Sequence, residues 1–179
     1  NYSDADKILF VGGYSTKVTS YIINGSTWIQ DNIFKPSDDT GVNTSSTSLY
    51  GFTMDYSNNV LVIGAPEDSY DENGSTNTLT NAGSAFIYTR MANGITNQWT
   101  FVQKVAGSYL NNYRNAGDTF GLNIESYPEQ SIFVVALPGA DYDSNGLNFI
   151  SGSGLVNIYQ VSGNNINLLQ SIQEPTTRA

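Results

Sequence analysis

The residues best suited to chemistry lie in two acidic loops, EDSYDENG at 67–74 and GADYDSNG at 139–146. In the second, Asp141, Asp143 and Asn145 alternate and are followed by Gly146. Alternate side-chain oxygens ahead of a glycine that permits a sharp turn make up the first half of a calcium-binding loop. The first loop offers Asp71 and Asn73, with Ser69 at the leading position and Glu67 and Asp68 just upstream. Six of the chain's sixteen acidic residues sit in these two loops, which concentrates oxygen ligands there. The distal bidentate carboxylate is missing, because the twelfth positions are Thr80 and Gly152. Two roles follow for these residues. They bind calcium weakly through Asp141, Asp143, Asn145, Asp68, Asp71 and Asn73, or they make hairpin turns, to which Asp, Asn and Gly are equally suited.

Little else in the chain supports catalysis. There is no Cys and no His, so a thiol nucleophile, a thiolate metal site and the usual general base near neutral pH are all absent. Asp118 and Glu125 flank one strand, but no nucleophile, oxyanion site or positioned partner accompanies them, so a glycosidase is not expected. Trp28 and Trp99 lie 71 residues apart and could form a sugar-stacking platform or fill the gaps between neighbouring units. The net charge is −9, with seven Lys and Arg, so there is no basic face for nucleic acid or for an anionic membrane. No apolar run approaches the roughly 20 residues that span a bilayer as a helix.

The elements that position the loops repeat. YGFTMDYSNNVLVIGAP, GSAFIYTR and WTFVQKV at 50–105 recur as FGLNIESYPEQSIFVVALP, GSGLVNIYQ and INLLQSI at 120–172. Gly51 pairs with Gly121, Pro66 with Pro138, Gly83 with Gly154 and Tyr88 with Tyr159, at offsets of 70, 72, 71 and 71. ILFVGG, VTSYII and STWIQDNIF near the N-terminus repeat the later parts once more. A fixed period of this length marks units that cannot bury their apolar faces alone. VLVIG and IFVVA read as strands buried on both faces, whereas SAFIYTR and LVNIYQV alternate, as strands with one wetter face do. Asn24-Gly25, Asn93-Gly94 and Ser162-Gly163-Asn164 supply tight hairpin turns. No segment has a capped 3.6-residue period, so almost no helix is expected.

The resulting expectation is an all-β chain of four-stranded antiparallel units, about two and three-quarter repeats of ~71 residues, which is the arithmetic of β-propeller blades. Residues 1–36 form a partial unit of three strands, 37–106 a complete unit, and 107–179 a complete unit with a short tail. Strands are expected near 8–13, 18–24 and 27–33. In the second unit they fall near 50–55, 60–65, 83–90 and 98–105, and in the third near 119–124, 131–137, 153–160 and 165–172. Fewer than four blades do not close a ring, so a segment of a larger propeller is expected.

The Tyr50-Gly51 and Phe120-Gly121 starts, the VIGAP and VVALP strand ends, GSAFIY and the Trp-led strand together resemble FG-GAP repeats, the blades of integrin α-subunit propellers and of bacterial and protist surface proteins. The resemblance covers nearly all of 8–172. The third copy departs at Ala136-Leu137-Pro138, and the first keeps only Gly12-Gly13. In integrin-type repeats calcium sits between the first and second strands, but DYSNN (55–59) and SYPEQS (126–131) lack the necessary oxygens, so that site does not carry over. The resemblance implies a non-catalytic extracellular or cell-surface module for adhesion, protein–protein interaction or scaffolding, without membrane insertion. Its partner would be a protein or a glycan. A lectin-like propeller and a structural subunit that self-associates through exposed edges are the other readings.

Overall fold

The computed structural model describes residues 2–3, 7–13, 16–36, 43–74, 78–93, 96–107, 114–127 and 131–173. Among the described residues twelve strands form three antiparallel four-stranded sheets, each a simple meander. The first sheet holds β1 (Tyr2–Ser3), β2 (Ile8–Val11), β3 (Val18–Asn24) and β4 (Thr27–Phe34). The second holds β5 (Met54–Ser57), β6 (Val60–Ala65), β7 (Ser84–Asn93) and β8 (Thr96–Val105). The third holds β9 (Ile124–Tyr127), β10 (Ile132–Leu137), β11 (Leu155–Ser162) and β12 (Asn165–Ile172). One sheet thus falls in each of the segments 1–36, 37–106 and 107–179.

Two expectations about strands need correction. The first unit has a fourth strand, because Tyr2 and Ser3 pair with Leu9 and Ile8. The opening strands of the other two units begin at Met54 and Ile124, later than expected. Tyr50-Gly51 and Phe120-Gly121 instead lie in turns, where Gly51 and Gly121 take φ of +85° and +89°, a region glycine enters without steric cost. Leu49 and Thr119, two residues before these glycines, also carry positive φ. The repeat is therefore kept at the level of single dihedrals.

The three sheets share a further detail. The pairing of third and fourth strands shifts register at Ser20/Tyr21, Ile87/Tyr88 and Ile158/Tyr159. Each bulge precedes a tyrosine and bends the outer half of its sheet.

Two apolar layers hold the sheets face to face. Ile8, Phe10, Val18 and Phe34 of the first sheet pack with Leu61, Ile63, Phe86 and Tyr88 of the second. The opposite face of the second sheet, with Val60, Val62, Ala85 and Ile87, packs with Phe133, Val135, Leu155 and Tyr159 of the third. Each such side chain contributes about 1.5–3 kcal/mol when fully buried. The middle sheet is covered on both sides, so every residue of β6 is buried, as VLVIG suggested. The β7 segment 84–88 is buried on both faces too, against the expected wetter face. In β10 the expectation of two buried faces fails: Phe133, Val135 and Leu137 are buried, but Ile132, Val134 and Ala136 are only half-buried. Among the described residues no sheet packs on that side.

Trp99 lies in the gap between the first and second sheets, with its ring 5.0 Å from Phe34, 5.8 Å from Phe10 and 5.9 Å from Tyr56. Its indole N–H donates to Asp31 at 3.0 Å. Trp28, at the matching place in the first sheet, stays 40% exposed.

Candidate functional site

The acidic loops join second and third strands, at 66–83 in the second unit and 138–154 in the third. The shared backbone frame is a pair of bonds at each base. Asp68 N–H donates to Ala65 and Gly83 N–H to Asp68 in one unit; Ala140 N–H donates to Leu137 and Gly154 N–H to Ala140 in the other. Asp68 and Ala140 therefore occupy one position, and only the second unit places a carboxylate there.

That carboxylate is buried and fully engaged. Asp68 Oδ2 lies 2.8 Å from Lys104 Nζ, with both side chains wholly buried, and accepts the Ser84 hydroxyl at 2.7 Å. Its Oδ1 accepts the backbone N–H groups of Ser45 at 2.9 Å and Tyr70 at 3.2 Å. Lys104 also donates to the carbonyls of Asn43 and Tyr70, each at 3.2 Å, and its ammonium sits 5.5 Å from the centre of the Phe86 ring. Burial pushes the Lys104 pKa down, while the Asp68 charge and hydrogen bond act the other way. Arg114 reaches the Tyr70 carbonyl at 3.0 Å. Burial lowers its pKa as well, opposed by Glu72, Asp68, Asp71 and Asp118. Charges buried this deeply persist where they are paired and hydrogen-bonded, and the Asp68–Lys104 pair meets both conditions. It ties the connector before β5, the loop after β6 and strand β8 into one body.

Asp71 and Asn73 make a local turn in the same loop. Asn73 N–H donates to the Asp71 carboxylate at 3.1 Å, and Gly74 N–H to the Asp71 carbonyl at 3.0 Å.

The loop of the third unit is more exposed and follows the same logic. Asp143 Oδ1 accepts the N–H groups of Leu147 at 2.9 Å and Asn145 at 3.2 Å, and Oδ2 accepts the Asn148 side-chain amide. These bonds, the Leu147 N–H foremost, hold the Asp143 carboxyl below its ordinary pKa. Asp141 accepts the N–H of Gly152, and its own carbonyl accepts Ile150 N–H at 2.7 Å. Tyr142 and Phe149 bridge the loop and their rings meet edge to face at 5.5 Å. The Asp141 and Asp143 oxygens thus accept from their own loop's backbone. Among the described residues no three acidic side chains gather into a group that could hold a metal. These hydrogen bonds give Asp141 and Asp143 a part in their own turns. Of the integrin-type calcium stretch SYPEQS, residues 128–130 lie outside the described residues.

Asp118 and Glu125 lie in different settings. Asp118 is buried and accepts Asn115 N–H at 2.9 Å, whereas Glu125 stands exposed on β9. The Asp68–Lys104 pair escaped sequence reasoning. Its signal was Lys104 itself, a cation in the otherwise polar-neutral and apolar run WTFVQKV, facing an acid-rich loop in the same unit. No family model matches this sequence, and no curated protein compared with it is similar to it.

Proposed function

We propose that the chain is a segment of an FG-GAP-type β-propeller that acts, without catalysis, as an extracellular or cell-surface binding or scaffolding module. One observation carries the reading: three meander sheets stack in chain order through equivalent faces, and Asp68, Asp71, Asp141 and Asp143 bond the backbone of their own loops. A rigid stack that presents fixed loops suits recognition. The Leu147 and Phe149 side chains, 73% and 64% exposed on the 141–152 loop, give that loop an apolar tip to offer a protein partner. The surface location rests on the FG-GAP resemblance alone.

Flow cytometry of labelled chain on intact cells tests this, with L147S/F149S as comparison. Saturable binding that the double substitution weakens is expected. Turnover of ester, glycoside or phosphate substrates, with no cell binding, would overturn the reading.

A second reading, self-association through open sheet faces, is favoured by Val11 and Trp28, 49% and 40% exposed on the first sheet. Light scattering over a hundredfold range of concentration decides it, since a constant monomer mass excludes self-assembly.

A further inference from the structure

Each of the first two sheets receives its successor through the same socket. At Gly64 an added Cβ would lie 2.2 Å from the Gly121 carbonyl oxygen, the turn that leads the third sheet. Thr53 lines this socket and donates its hydroxyl to that carbonyl at 2.6 Å. At Gly12 a Cβ would lie 2.6 Å from the Gly51 carbonyl oxygen and 2.4 Å from Met54 Cε, both belonging to the second unit. Approaches this short leave no room for a methyl group, so the glycine is required by close contact with backbone.

The third sheet has no such socket. Gly12, Gly64 and Ala136 hold the same place, four residues past the first residue of the second strand at 8, 60 and 132. The hydrogen bonds agree: Gly51 N–H donates to Gly64 and Gly64 N–H to Thr53, just as Gly121 N–H donates to Ala136 and Ala136 N–H to Asn123. Ala136 and Asn123 therefore replace Gly64 and Thr53. The Ala136 methyl fills the spot that the next unit's glycine carbonyl would need.

Gly154 does not argue otherwise. Its counterpart Gly83 is pressed against the Phe120 backbone, with a Cβ clearance of 2.3 Å, but at Gly154 the nearest atom to a Cβ is 3.8 Å away. Gly154 has φ of +62°, so its own turn accounts for the glycine without a following unit.

We propose that the residue at this place decides whether a sheet admits a successor, and that Ala136 closes the outer face of the third sheet to any further unit led by a glycine turn in the same register. The proposal stands on sheet-to-sheet contacts; under the propeller reading it requires that whatever covers the third sheet opens without the glycine turn. The surrounding face remains apolar, with Leu169 and Ile172 exposed, so the closure is steric and resides in one methyl group.

The test appends a second copy of residues 43–107 after residue 173, in the parent chain and in an Ala136→Gly, Asn123→Thr background. Limited proteolysis and hydrogen exchange report whether the added unit docks. Docking is expected only in the substituted background. Docking in both, or in neither, overturns the proposal. In the unextended chain, Gly64→Ala should lower Tm by roughly 5–15 °C, and Ala136→Gly by about 1–4 °C. Equal effects at the two positions would also overturn it.

Discussion

Lys104 and Asp68 form an ion pair of 2.8 Å whose side chains are both wholly buried, and four further hydrogen-bond partners surround the two groups on the Ser45, Tyr70, Ser84 and Asn43 sides. The third unit has Ala140 and Ser171 at these places, with Ser171 donating instead to Asn157 at 2.7 Å. Among the described residues the middle sheet is the one covered on both faces, and it carries this buried pair.

Breaking the pair from one side should be costly. Asp68→Ala and Lys104→Met should each destabilise the chain by about 3–5 kcal/mol, because each leaves a buried charge without compensation. The double substitution should cost less than the sum. A double-mutant cycle by urea denaturation checks this, and strict additivity would show that the two residues are not coupled.

The two tryptophans should separate cleanly. Trp99→Ala removes a ring packed between two sheets and should cost about 3–5 kcal/mol. Trp28→Ala, on the open face, should cost under about 1 kcal/mol. Thermal melting of both variants is the measurement, and similar losses would mean that the face of the first sheet is covered.

Acid should loosen the 141–152 loop before the sheets. The Asp143 pKa is depressed in the folded chain, so its bonds contribute above the ordinary carboxylate value of 3.8 and are lost as pH falls through the folded value below it. Hydrogen exchange at Leu147 and Asn145 should rise in that window. Asp143→Asn should raise exchange there at neutral pH and flatten the acid response, with little change in Tm. An unchanged profile in the variant would remove Asp143 from this role.

Calcium should act weakly or not at all. The loop offers only two carboxylates, Asp141 and Asp143, both already accepting backbone N–H groups, so millimolar calcium should raise Tm by less than about 2 °C over a chelator. A rise of several degrees that Asp143→Ala abolishes would establish the calcium site.

The period of about 71 residues, the strand runs and the missing helical pattern were legible in sequence because each reflects local chemistry: β-branched runs, turn glycines and a repeated order. The boundaries of β6, β8, β10 and β12 follow closely from such runs. The acidic loops were legible as loops, because Asp, Asn and Gly select turns wherever they fall.

What the carboxylates do there depends on distant partners. Asp68 meets Lys104 from another strand and Ser45 from another connector, and spacing within the loop carries no trace of either. Burial differs between VLVIG and IFVVA for the same reason, since near-identical runs occupy a middle sheet and an outer one. The sequence by itself determined the units, their turns and their order. Only the tertiary structure decided which faces touch, which acid is paired and which small residue, Gly64 or Ala136, leaves room for a neighbour, because those outcomes depend on contacts between atoms tens of residues apart.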